Sequence, residues 1–265
     1  MSRISETFAR LRREGKRTLI PFITAGDPDL ETTRELIVEL AHAGAGLVEL
    51  GIPFSDPLAD GPVIQRASER ALRHRLGIKE ILGVVADVRT ETDVPVVLFS
   101  YFNPLLHYGL DRLSCDASDA GVDGVLVTDL VPEEASSFKA RLSEHHLDMI
   151  FLVAPTSTDA RLSLIAAHAS GFIYAVSRAG VTGARREMSV EAERLVARVR
   201  QFSELAVAVG FGISSAEQVA DVWRYADAAV VGSALVAEIE RLQGEPDLVG
   251  RVGEFTRRLL PVEAS

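Results

Sequence analysis

Glu49 stands inside Leu47-Val-Glu-Leu-Gly51, an otherwise apolar run of the kind that forms a buried strand. Alternation along a strand turns Glu49 away from the face used by Val48 and Leu50. A carboxylate in such a place is costly unless a site uses it, and partial desolvation raises its pKa toward the range of general acid–base work. The plainer role is a structural Glu bonded to a neighbouring Ser, Thr or backbone N–H. Asp60 lies in a loop dense in Pro and Gly, where it is either a second functional carboxylate or a turn residue. Asp129, at the end of another apolar run, is a third carboxylate or the N-cap of a helix starting near Pro132. Other chemistries find less support. Lys16, Lys79 and Lys139 are the only lysines and none falls at a strand end, so a Schiff base has no candidate nucleophile. Of the six histidines only His107 is near a strand-end loop, so a His-rich metal site has no support. Cys115, the single cysteine, falls in a helical stretch and is expected to be a buried structural thiol.

A second group of residues suits an anion. Gly183, Gly212 and Gly232 let the backbone approach a ligand closely, and Ser233 adds a hydroxyl where a helix begins. Backbone N–H groups and a helix dipole can hold a phosphate without any lysine. Phe22, Tyr174 and Phe211, expected on the same rim, suit a flat aromatic ligand beside the phosphate.

These residues need a scaffold, and the hydrophobic pattern supplies one. Eight short apolar runs, at 19–24, 47–51, 94–100, 124–128, 148–153, 172–177, 206–210 and 228–232, read as strands. Most are apolar at consecutive positions, as in parallel strands buried on both faces. Helical periodicity lies between them, clearest at 29–43, 159–168, 190–202, 216–225 and 248–260, and an extra amphipathic helix occupies 4–13. Eight βα units in 265 residues predict one α/β domain over 1–265, a (β/α)8 TIM barrel with an extra N-terminal helix. An open doubly wound sheet is disfavoured because the first strand lacks a Gly-x-Gly-x-x-Gly turn. In such barrels chemistry sits at the carboxyl ends of strands, where the residues above fall.

Composition narrows the field further. Hydrophobic residues make up 47% and charged residues 25%, which excludes global disorder. A net charge of −10 disfavours nucleic acid, whose phosphates need concentrated Lys and Arg. The longest stretch free of charged residues, 94–110, is short for a membrane span and contains Pro95 and Pro104. The first 17 residues lack the apolar core of a signal peptide, so a cytoplasmic location is expected.

The segment Glu49-Leu-Gly-Ile-Pro-Phe-Ser-Asp-Pro-Leu-Ala-Asp-Gly-Pro62 resembles the signature of the tryptophan synthase alpha subunit family. Pro21-Phe-Ile-Thr-Ala-Gly-Asp-Pro28, Ser177-Arg-Ala-Gly-Val-Thr-Gly183 and Gly210-Phe-Gly-Ile-Ser214 are similar to other family segments, so the likeness spans most of the chain. The resemblance implies retro-aldol cleavage of indole-3-glycerol phosphate to indole and glyceraldehyde 3-phosphate, without metal, Schiff base or any cofactor in this chain. It implies an α2β2 heterotetramer with a beta subunit that carries pyridoxal phosphate, receives indole by channelling and communicates allosterically. By that likeness Glu49 is the general acid–base residue and Asp60 holds the indole N–H. Gly183, Gly212, Gly232 and Ser233 take the phosphate, and Phe22, Leu126, Tyr174 and Phe211 flank the indole. Thr182 lies on a mobile loop, within 177–188, that closes over Asp60. The beta subunit is expected to dock on the loops after the second and third strands, at Pro53, Asp56 and Pro57. Three departures from the family pattern touch pocket shape: Gly46 for an Asp, Phe99 for a Leu, and Val131 where a Pro is usual, the proline here being Pro132. Two alternatives remain at this level. An indole-glycerol-phosphate synthase should need a strand-end lysine. A paralogue that only binds the beta subunit would have no use for both Glu49 and Asp60.

Overall fold

Strands that are apolar at every position must be covered on both faces, and this chain does so by closing them into a ring. The computed structural model describes residues 2–176, 185–210 and 212–261, with backbone only at 185–189. The chain begins α1 (Arg3–Arg13), β1 (Thr18–Thr24), α2 (Leu30–His42), β2 (Val48–Gly51), α3 (Pro62–Leu72) and α4 (Ile78–Val88). It continues β3 (Val96–Ser100), α5 (Phe102–Tyr108), α6 (Leu110–Asp119), β4 (Gly124–Val127), α7 (Ser136–Glu144), β5 (Asp148–Val153) and α8 (Asp159–His168). The rest is β6 (Phe172–Val176), α9 (Arg185–Val199), β7 (Ala206–Gly210), α10 (Ala216–Trp223), β8 (Ala228–Val231), α11 (Ser233–Leu242) and α12 (Leu248–Leu259). The eight strands are parallel and form a closed barrel in chain order, with β1 paired to both β2 and β8. The expected TIM barrel with its extra N-terminal helix is therefore present.

The two faces of each strand have different tasks. Outward residues such as Ile23, Val48, Leu50, Leu98, Val125 and Val209 join the helices in one large buried cluster. Inward residues Ile20, Leu47, Val97, Leu126, Ile150, Phe172 and Val230 fill the barrel. Helix α1 closes the amino-terminal end, inserting Ile4, Phe8 and Leu11 into that inner cluster. Phe8 packs on Phe172 at 5.8 Å between ring centroids, and Arg3 pairs with the buried Asp123 at 2.9 Å. The interior of the barrel is thereby closed at its amino-terminal end, and the carboxyl-terminal end is where the candidate residues gather.

Three expectations need correction. The crossovers after β2 and β3 each hold two helices, and two more helices follow β8, so twelve are present among the described residues. Cys115 is exposed, because α6 turns Leu113, Ser114 and Ala117 inward and leaves Cys115 on the outer face. Asp129 does not cap the following helix, which starts at Ser136 with Ala135 before it. Its carboxylate instead accepts from the Phe102 N–H at 2.7 Å, capping α5 across the top of the barrel.

Candidate active site

Strand pairing sets Glu49 opposite Phe22 on β1 and Val97 on β3, with its side chain inside the barrel. Glu49 is 1% exposed, and its Oε1 has no hydrogen-bond partner. The structural role of a Glu tied to a neighbouring hydroxyl or N–H therefore leaves that oxygen unexplained. Burial pushes the carboxyl up to about 8, so at neutral pH it holds its proton. Tyr174 on β6 shares this interior: burial, and then the nearby Glu49 charge, drive its phenol well above the usual value. A Cβ on Gly210 would stand 2.2 Å from the Tyr174 hydroxyl oxygen, so glycine there is what admits the phenol. Leu126 on β4 is fully buried in the same inner cluster, which Phe99 and Tyr174 border.

Above Glu49 a cavity of about 10 Å³, room for about one water, is lined by Phe22, Thr24, Asp60, Ser100 and Tyr101 among others. Asp60 reaches it from the loop after β2, a loop pinned by the Asp60 N–H to Pro57 carbonyl bond and by Gln65 Nε2 donating to the Asp60 carbonyl. Burial raises the Asp60 carboxyl to about 6, with the Tyr101 hydroxyl pulling the other way. Tyr101 also accepts the Ala59 N–H at 2.8 Å and is itself pushed up to about 12, chiefly by burial. Tyr101 therefore belongs to the site, though the sequence placed it only in a loop after the third strand. The cue was available: an aromatic hydroxyl two positions after Phe99, and so in register with the inward-facing Val97 and Phe99. Phe99 meets Phe22 edge-on at 5.2 Å, so this departure narrows the pocket floor without breaking it.

The described residues expected to hold an anion lie at the end of β8 and after β7. Gly212 has φ +71°, which L residues rarely adopt, and open space where a Cβ would be. Gly232 precedes α11 as its N-cap, and Ser233, its first residue, is exposed. The Leu235 and Val236 N–H groups both bond back to the Gly232 carbonyl, so the donors ahead of them face the rim. Helix α11 is tied to α3, which follows Asp60 in the chain, by a part-buried ionic bridge. Arg70 on α3 forks onto Asp27 at 2.8 Å through both nitrogens and reaches Glu240 on α11 at 2.7 Å. Arg66 adds a second fork onto Glu240, and Gln243 donates to Asp27 at 2.9 Å. Those Arg66 contacts, ahead of the Arg70 charge, hold the Glu240 carboxyl down at about 2. Phe22, Ala67 and Val236 form a buried cluster that packs α3 and α11 against β1.

Other expected site residues divide clearly. Asp56 is exposed and Pro57 half-buried, as a docking surface requires, but Pro53 is buried and can only support the loop from within. Leu58 beside them is 96% exposed and Leu106 on α5 is 54% exposed, apolar side chains the sequence reading did not single out. Gly183, Thr182 and Phe211 lie outside the described residues, as does most of the 177–188 loop. Gly46 is explained by packing, since a Cβ there would lie 2.3 Å from Thr18 Oγ1. Val131 is half-buried and its carbonyl accepts the Glu134 N–H, while Pro132 is buried. Among the described residues no group of three or more His, Cys, Asp or Glu could hold a metal ion.

Comparison with known proteins agrees with this geometry. The family model described as tryptophan synthase alpha chain matches residues 8–259. The tryptophan synthase alpha chain of Geobacter sp. (strain M21) is 50% identical over 259 residues, covering 98% of this chain and 97% of that relative. The crystal structure of tryptophan synthase subunit alpha from Legionella pneumophila superposes with a TM-score of 0.90 at 38% identity, covering 98% of this chain and 97% of the other. A chain of the tryptophan synthase a2b2 complex of the hyperthermophile Pyrococcus furiosus, solved for the basis of its mutual activation, gives 0.85 at 38% identity. There the coverage is 91% of this chain and 97% of the other.

Proposed function

The chain belongs to the tryptophan synthase alpha chain family, a lyase family acting on indole-3-glycerol phosphate, and on that premise we propose that it performs a retro-aldol cleavage with two carboxylates. The observation that carries this reading is the buried Glu49 carboxyl with an unpartnered oxygen below an aromatic-walled cavity. At neutral pH Glu49 is protonated and Asp60 ionised, because burial raises the first to about 8 and the second only to about 6. Two carboxyls with values set apart divide the roles of acid and anion. Glu49 gives its proton to indole C3. The positive charge that develops on the ring is met at the N–H by Asp60. The Glu49 carboxylate then takes the proton from the chain hydroxyl next to C3, the carbon–carbon bond breaks, and the electron pair restores the indole. The proton that leaves Glu49 is replaced in the same turnover. Phosphate rests on Gly212, Gly232 and Ser233, with Gly183 joining them. Phe22, Leu126, Tyr174 and Phe211 flank the ring, and Thr182 closes the loop over Asp60.

The test is indole release from indole-3-glycerol phosphate across pH. The quotient kcat/KM should rise as Asp60 ionises near 6 and fall as Glu49 loses its proton near 8, a bell centred close to neutrality. A profile flat between 5 and 9 would exclude these two groups as its source.

The substitution Gly212→Val examines the anion side. A branched residue strains a backbone at φ +71° and turns the exposed N–H groups from the rim. Affinity for glyceraldehyde 3-phosphate should fall about 10- to 100-fold, the worth of one or two charge-assisted bonds, while indole binds as before. Calorimetry showing unchanged phosphate affinity would move the anion site elsewhere.

A beta chain holding pyridoxal phosphate is the proposed partner, in an α2β2 assembly that passes indole directly to condensation with serine. Support comes from the exposed Asp56 and Leu58 on the loop after β2 and the exposed Leu106 on α5, at the carboxyl-terminal end of the barrel. Pressure on Asp56 and Pro57 reaches Asp60 through the short loop that carries it. Because misplacement by about 1 Å can cost on the order of 100-fold, docking there raises the rate of a chain that is slow alone. Replacing Asp56 by Ala should reduce activation by the beta chain more than it reduces the rate of the isolated chain. Equal losses would mean that Asp56 serves the site directly.

A further inference from the structure

Among the described residues three buried side-chain polar atoms lack a partner: Arg17 Nε, Glu49 Oε1 and Thr24 Oγ1. The proposed chemistry uses Glu49 and leaves Thr24 unexplained. Thr24 is the last residue of β1, 3% exposed, and it lines the cavity together with Asp60, Ser100 and Tyr101. Its backbone is fixed on both sides, by the Asp27 N–H to its carbonyl and by the Ala25 N–H to the Gly51 carbonyl. A valine would fill the same volume without an unmet hydroxyl, so a threonine here sacrifices stability that function can repay.

Barrel order says what meets that hydroxyl. Strand β1 lies between β8, whose end carries Gly232 and Ser233, and β2, which carries Glu49 and leads to Asp60. A ligand with its phosphate at the first corner and its ring at the second must lay the connecting carbon chain across the end of β1. We infer that the Thr24 hydroxyl hydrogen-bonds a hydroxyl of that connecting chain, making Thr24 a specificity-determining residue for a polyhydroxylated linker; this rests on the function proposed above.

The experiment uses the full chain, alone and with a beta chain, as parent, Thr24→Val, Thr24→Ser and Thr24→Ala. Two ligands are compared: indole-3-glycerol phosphate, and an analogue joining indole to phosphate through an unsubstituted three-carbon chain. Thr24→Val should lower kcat/KM for the substrate about tenfold, the worth of one hydrogen bond. It should bind the analogue within about twofold of the parent and unfold at the same or a higher temperature, because an orphaned hydroxyl is gone. Thr24→Ser should recover most of the loss. Parental kcat/KM in Thr24→Val, or analogue affinity falling in step with it, overturns the inference. Should Thr24→Val fail to fold, the same split is read from Thr24→Ala against Thr24→Ser, and equal rates in those two overturn it as well. A parent that releases no indole from the substrate overturns the functional reading itself, a result distinct from any difference among the variants.

Discussion

Glu49→Gln is expected to lower indole release by about 10²–10⁴-fold, the contribution of a positioned general acid–base group, while the barrel stays folded. The amide keeps the size of the side chain and cannot deliver a proton to indole C3. The same variant carries a second, independent signature in stability. Burial lifts the folded-state value from 4.5 to about 8, so folding takes up a proton anywhere between those limits. A raised acid is neutral at no cost below its unfolded value and becomes progressively destabilising as pH rises through the window. Parent stability should therefore fall relative to Glu49→Gln between about pH 5 and pH 8, by an amount on the order of a few kcal/mol. Denaturant unfolding of both proteins at pH 5 and pH 9 measures it. Activity within a few-fold of the parent would remove Glu49 from the chemistry, and a stability difference independent of pH would remove it from the buried, protonated state.

Asp60→Asn is expected to be nearly as damaging, with a loss of about 10²–10³-fold, because the amide has no charge to set against a positive ring. Asp60 is half-buried at a loop end, and two backbone hydrogen bonds hold it besides its carboxylate's contact with the Tyr101 hydroxyl, so the loop should keep its course. The acid side of the pH profile should vanish with it, since that limb is the ionisation of Asp60 near 6. If the rate is unchanged and the limb persists, Asp60 is only a turn residue and another group must oppose the ring charge.

The strands were legible because burial on both faces leaves a local mark: each expected strand lies within two residues of the observed one, from Thr18–Thr24 to Ala228–Val231. The orientation of Glu49 followed from the same period of two. What the sequence hid depends on distant neighbours. Asp129 reads as a cap for its own following helix, yet the Phe102 N–H that it meets is 27 positions away. Helix α5 is seven residues long, too short to show a period, and Pro104 falls in its first turn, where an N–H has no intrahelical acceptor anyway. Cys115 was misplaced since one cysteine carries no period that assigns it to a face. Thr24 ends β1 and Tyr101 directly follows β3, and only the closed ring shows that both line a cavity with Asp60.

The helix that seals the base of the barrel precedes all eight strands in the chain, and that gives the fold a clock. The partners of α1 are late in the chain: Ser2 bonds Asp148, Arg3 bonds Asp123, Phe8 stacks on Phe172, and Arg12 reaches the Glu204 carbonyl. On a growing chain the stripe of Ile4, Phe8 and Leu11 therefore lacks much of its native surroundings until β4 through β7 exist. Contacts across such separations form slowly, because the entropy of closing the long loop is lost before they reward it. Full docking of α1 therefore needs most of the ring in place, so a barrel lacking its middle strands leaves part of that apolar stripe uncovered.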